Sequence, residues 1–162
     1  VENLDAAGIG RRQRATDDEA EALDCLARMG VEWTAQKSLA TVSSGEQQRV
    51  LLARSLMNEP GIVLLDEPSA RLDLGGREHL VKALSELTLD PGAPPLLLVT
   101  HHLDEVPPGM THVLMLRDGH AIANGPLDST LTSEALSECF GLPLQLERRA
   151  DGRFSAWNAP AR

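Results

Sequence analysis

Ile62-Val63-Leu64-Leu65-Asp66-Glu67-Pro68 is an apolar run, bounded by Gly61, that stops at two adjacent carboxylates. A short apolar run between turn residues is the habit of a strand buried on both faces in a parallel sheet. In open α/β sheets ligands bind at the carboxyl ends of strands, so Asp66 and Glu67 stand where chemistry is done. Acidic residues also end many strands with no function, so the pair alone decides nothing. The neighbouring segments do.

Downstream, Leu96-Leu97-Leu98-Val99 repeats the doubly buried pattern and runs into Thr100-His101-His102. Between the two runs, Asp73 suits an N-cap, and Leu80, Val81, Leu84 and Leu87 fall on one face of a helix whose first turn is weakened by Gly75-Gly76. Strand, helix and strand make a right-handed crossover unit, which brings Thr100 and His101 to the sheet edge that carries Asp66 and Glu67. Upstream, Ser43-x-x-Glu46 is a capping box that opens a helix through Val50, Ala53, Leu56 and Met57, ending before Pro60. Its free N–H groups, its positive dipole end and the Ser43 hydroxyl suit an anion, although a plain helix cap has the same sequence. Thr16-Asp17-Asp18-Glu19 matches a further capping box, followed by Leu23, Leu26 and Ala27 at helical spacing and a stop at Gly30.

In this order, Val42-Ser43-Ser44-Gly45-Glu46-Gln47-Gln48-Arg49, the strand ending in Asp66-Glu67, Ser69-Ala70-Arg71-Leu72-Asp73 and Leu98-Val99-Thr100-His101-His102 resemble the signature, Walker B, D-loop and switch-histidine motifs of the ATP-binding cassette (ABC) family of P-loop ATPases. The resemblance covers roughly residues 17 to 125. It implies an α/β fold of the P-loop NTPase type, with a mostly parallel sheet and part of the helical subdomain. Three segments are expected: a loosely ordered lead-in with the helical subdomain (1–60), an α/β core (61–125), and an appended helix and strands (126–162).

The resemblance also implies ATP and Mg²⁺ as cofactors. Asp66 would hold the metal through water, Glu67 would orient and deprotonate the attacking water, and His101 would steady the γ-phosphate. Ser43, Ser44, Gly45 and Glu46 would touch a nucleotide held by the opposite subunit, and Asp73 would link the two subunits. The implied partners are a second cassette, the same or different, and transmembrane permease subunits, which would place the chain in the cytoplasm at the inner face of the plasma membrane. Two departures from the common signature stand out: Ser44 replaces a glycine and Glu46 a glutamine. Serine preserves close approach, whereas Glu46 puts negative charge beside a phosphate unless capping geometry turns it away.

One element of the family is missing from the 162 residues: no G-x-x-x-x-G-K-[ST] loop occurs. Lys37-Ser38 ends like one, but Val31 and Gln36 fill the glycine positions, so the backbone cannot approach phosphates. Lys82, the other lysine, lies in a helical pattern. The glutamine loop of the family is not found either. The expectation is therefore the carboxyl-terminal portion of an ABC transporter ATPase subunit, not hydrolysing ATP alone. A second reading is a non-catalytic module lending its signature to a partner cassette, and a third a soluble ABC ATPase of DNA repair or translation.

A formal charge of −9 with scattered acidic residues disfavours a nucleic-acid partner. Cys25 and Cys139, far apart and outside any C-x-x-C, fit a reduced compartment and burial. No apolar stretch approaches the roughly 20 residues of a membrane span. Asp118-Gly119 between Val113–Leu116 and Ala121–Ala123 signals a hairpin, expected to extend the sheet edge, and 132–140 reads as a helix closed by Gly141. A zinc site from His101, His102 and His112 is a remote alternative.

Overall fold

The computed structural model describes residues 17–159. Residues 17–28 form helix α1, which stops at Gly30 in the left-handed region (φ 61°). The expected Thr16 cap and the lead-in before it lie outside the described residues. Helix α2 (Ser44–Leu56) begins at the Ser43 cap, and strand β1 (Val63–Asp66) follows. Helix α3 (Leu74–Leu89), capped by Asp73, leads to strand β2 (Leu96–Val99). The two strands pair in parallel with Val63 opposite Leu96 and Asp66 opposite Val99, as a crossover requires. Around them Cys25, Met29, Val31, Leu52, Ala53, Leu56, Val63, Leu80, Ala83, Leu84 and Leu87 form one core.

Neither strand is buried on both faces as the apolar runs suggested. Val63, Leu65 and Leu96 face the helices, whereas Leu64 is 66% exposed, Leu97 48% and Val99 49%. Side chains alternate along a strand, and among the described residues the helical layer covers only one face. A sequence hydrophobic on both faces is thus half covered.

The second half builds its own core. Strands β3 (His112–Arg117) and β4 (His120–Pro126) form the hairpin at Asp118-Gly119, both residues with positive φ as a tight primed turn demands. The hairpin does not extend the parallel sheet but stands as a separate two-stranded sheet. Helices α4 (Leu127–Thr130) and α5 (Ser133–Phe140) follow, the latter capped by Thr132 and ended by left-handed Gly141. A last antiparallel pair, β5 (Leu144–Arg148) and β6 (Phe154–Asn158), makes a third sheet. Met115, Leu127, Leu131, Leu136 and Phe154 close this core. Cys25 is buried, its thiol pushed up in pKa chiefly by desolvation, whereas Cys139 is only half-buried.

Candidate functional site

At the amino end of α2 the capping box closes in both directions. The Glu46 N–H donates to Ser43 Oγ at 3.3 Å, and the Ser43 N–H donates to Glu46 Oε2 at 2.8 Å. That second bond, and then the Ser43 hydroxyl, hold the Glu46 carboxyl below its ordinary range. The charge that replaces the usual glutamine is therefore spent on the cap. Ser44 and Gly45, at the first two helical positions, present N–H groups that precede the first intrahelical donor, the Gln47 N–H bonded to the Ser43 carbonyl.

Gly45 is buried against α3. A Cβ there would lie 3.0 Å from the Gly76 Cα, and one on Gly76 would lie 3.4 Å from the Gly45 Cα and 3.0 Å from Asp73 Oδ1. Two backbones touch where no side chain fits, so Gly75-Gly76, read from sequence as a weakness, is half of a glycine-to-glycine contact. It brings Ser43, Ser44, Gly45 and Glu46 next to Asp73, whose side chain accepts from the Gly76 N–H at 2.7 Å. Gln47 braces the approach: its Nε2 donates to the carbonyls of Leu39 (3.0 Å) and Val42 (3.1 Å). Arg49 reaches back from α2 to the carbonyls of Met29 and Gly30.

The second group lies at the carboxyl end of the parallel sheet. Asp66 is the last residue of β1, and Glu67 leaves the strand with φ 42°. Strand alternation alone would aim the two carboxylates to opposite faces; a left-handed turn at Glu67 redirects its side chain instead. That conformation is unfavourable for a side-chain-bearing residue and persists only where its surroundings fix it. Here the Glu67 N–H donates to the Val99 carbonyl at 2.9 Å, and its own carbonyl accepts from Ala70. Its carboxylate meets His101, Oε1 to Nδ1 at 2.7 Å, with both side chains about half exposed. The His102 ring centroid lies 4.0 Å from that of His101.

The site residues thus fall into two groups, Ser43–Glu46 with Asp73, and Asp66 and Glu67 with His101. No hydrogen bond or ion pair among the described residues joins one to the other. Lys37, the residue of the false phosphate loop, sits 4.1 Å over the Trp33 ring. Among the described residues no three His, Cys, Asp or Glu side chains gather as a metal cage would need, so zinc has no geometric support. Sequence reading missed Gly76, Gln47 and Arg49. Each acts through a backbone partner distant along the chain or on another element, which leaves no local pattern.

The profile of the ABC transporter family matches residues 2–70. An ABC transporter ATP-binding protein of Streptococcus mutans is 37% identical over 134 residues, 83% of this chain and 52% of that one. Among solved structures, a metal-chelate type ABC transporter in an inward-facing conformation superposes with a TM-score of 0.71 at 26% identity, over 88% of this chain and 57% of that one. A dimeric bacterial ABC transporter cassette does so with a TM-score of 0.54 at 31% identity, over 67% of this chain and 46% of that one. The chain spans about half the length of the curated relatives it matches.

Proposed function

Because the chain belongs to the ABC transporter ATPase family, we propose that it carries the signature end and the water-activating end of an ATP-hydrolysing cassette that drives transport. The observation behind this reading is the Glu67–His101 pair at 2.7 Å beside Asp66. Phosphoryl transfer asks a protein for positioning and charge neutralisation, with one carboxylate for the metal and a distinct one free to act on water. Asp66 and Glu67 are adjacent in sequence, yet they differ: Asp66 ends the strand, while Glu67 is turned off it.

The donor set suits the expected ligands. Mg²⁺ takes carboxylates, phosphate oxygens and water, and when bound it would offset phosphate charge, with Asp66 holding it through water. Glu67 accepts the proton of the attacking water on Oε2, the carboxylate oxygen that His101 does not engage. His101, with both ring nitrogens protonated, donates Nδ1–H to Glu67 and so holds the carboxylate in place, and has Nε2–H left to donate to a γ-phosphate oxygen. At the other end, the N–H groups of Ser44 and Gly45 and the Ser43 hydroxyl face the nucleotide of a second cassette, across an interface lined by Asp73. The separation of the two groups supports such a shared arrangement, as does the likeness to a dimeric cassette. Membership of the family also supports permease partners and a place at the inner membrane face. No helix among the described residues is long and apolar enough to cross a membrane.

The phosphate-holding loop would come from outside these 162 residues. Titration calorimetry of the chain with Mg-ATP is expected to show no micromolar binding. Mixing it with an amino-terminal cassette half that carries a G-x-x-x-x-G-K-[ST] loop is expected to restore hydrolysis, and Glu67→Gln to remove it. Tight binding by the chain alone would overturn the proposal. Restored hydrolysis that survives Glu67→Gln would favour the second reading, a module lending only its signature helix, for which the preformed α2 end speaks.

A further inference from the structure

Behind His101 the chain makes a short 3₁₀ turn, Leu103–Glu105, held from three sides. From within, Thr100 Oγ1 donates to Glu105 Oε2 at 3.0 Å and accepts from the His102 N–H at 3.0 Å. From α3, Arg77 lies 3.4 Å from Asp104 Oδ2 and 3.3 Å from Glu105 Oε1, the Glu105 side chain being 4% exposed. From the far end of the sequence comes Arg153, just before β6. Its Nε donates to the Asp104 carbonyl at 3.0 Å, and Nη2 reaches the same oxygen. Nη1 and Nη2 fork onto Glu78 of α3 at 2.6 and 3.0 Å.

We infer that Arg153 is a positioning residue for the loop that carries His101. A guanidinium is rigid, and one locked to a carboxylate by two bonds has its remaining donors aimed in a fixed direction. Here they converge on one backbone carbonyl three residues beyond His101. Arg153 is 9% exposed, and strand pairing by itself asks for no buried cation. Two and three residues after it, Ser155 and Ala156 of β6 share a groove with His101, His102 and Asp104. The carboxyl-terminal unit, which gave no chemistry from sequence, thereby sets where the Glu67 partner stands. The consequence for hydrolysis rests on the role proposed for His101; the anchoring does not.

Hydrogen exchange on the chain without nucleotide tests the anchoring separately from that role. The reporters are the amides of Glu105 and Val106, bonded to the carbonyls of His102 and Leu103; the controls are Gln47 in α2 and Leu136 in α5. Hydrogen bonds from a charged donor are strong enough that Arg153→Ala is expected to speed exchange at the reporters about tenfold or more relative to the controls. It is also expected to shift the His101 ring resonances. Arg153→Lys, which keeps charge but not the fork, is expected to recover only part, and provides the same comparison should the alanine variant not fold. Uniform acceleration at all four amides, an unchanged loop, or full recovery by lysine would overturn the inference. An intact anchor in a chain whose rebuilt cassette ignores His101 would sink the catalytic reading alone.

Discussion

The amino end of α2 and the carboxyl end of β1 place the proposed site residues in opposite ways. The helix end is closed: a reciprocal capping box, a backbone-to-backbone contact between Gly45 and Gly76, and the Gln47 brace leave its donors one orientation. The strand end is open: Glu67 stands on a left-handed backbone with one side-chain partner among the described residues, and that partner is more than half exposed. Preorganisation suits a surface that must receive an anion without rearranging, because ordering is then complete before binding. An exposed pair anchored from behind can instead tighten when a phosphate arrives, as catalytic contacts often do.

The largest expected effect is on the open end. In a cassette rebuilt with its amino-terminal half, Glu67→Gln should cost 10²–10⁴ in turnover, the usual worth of a general base, while leaving nucleotide binding intact. Steady-state phosphate release with parallel binding measurements checks both halves of that statement. His101→Ala should lower turnover in the same assay; an unchanged rate would reduce the 2.7 Å pair to a surface contact. Neither change should move folding stability much, since exposed ion pairs contribute roughly 0–1 kcal/mol.

At the closed end the expected damage is to the fold. Gly45→Ala places a methyl group 3.0 Å from the Gly76 Cα, and backbone cannot swing aside as a side chain can. The helices must part, at a cost of about 1–3 kcal/mol in the manner of overpacked cores. A urea midpoint unchanged in Gly45→Ala would mean that the contact has room to spare, and would erase the contrast in rigidity.

How much of this was legible in sequence divides along the same line. Caps and turns at Ser43, Asp73, Asp118-Gly119 and Gly141 have local chemistry, and each lies where the residues put it. The order of motifs brought Glu67 and His101 to one sheet edge, and they touch. Three things did not read out. The burial of Leu64, Leu97 and Val99 was overestimated, because an apolar run records what a strand can bury and not which layer lies over it. The left-handed turn of Glu67 has no signature in a side-chain-bearing residue. Arg153, 52 positions beyond His101, pairs with Glu78 and Asp104 through the third dimension only.

A milder test of the closed end removes its cap. Ser43→Ala deletes the acceptor for the Glu46 N–H and should cost about 0.5–2 kcal/mol, the range for such caps. Ser43→Gly should cost only a few tenths, since glycine adopts the cap backbone and leaves the amide to water. Urea denaturation distinguishes the two; equal losses would show that the hydroxyl bond at 3.3 Å carries nothing.

The smallest expected effect concerns charge alone. Glu46 has its carboxyl pKa lowered in the folded chain, first by the Ser43 N–H and then by the Ser43 hydroxyl. A carboxylate with a depressed folded pKa adds stability that is fully present above its unfolded value, about 4.3, and is lost as pH falls through the folded one. Glu46→Gln can keep both bonds of a capping box, because glutamine also serves at that position, but it cannot titrate or interact as an anion with the positive helix end. The native chain should therefore be the more stable of the two at pH 6, with the gap closing as pH drops below about 4. Glu78, lowered chiefly by its bond to Arg153, titrates in the same direction in both chains and cancels from the difference. Urea midpoints for both chains between pH 6 and 3 would show it. A gap that stays constant with pH would mean that the cap uses the shape of Glu46 and not its charge, so the signature would lose nothing by carrying glutamine there.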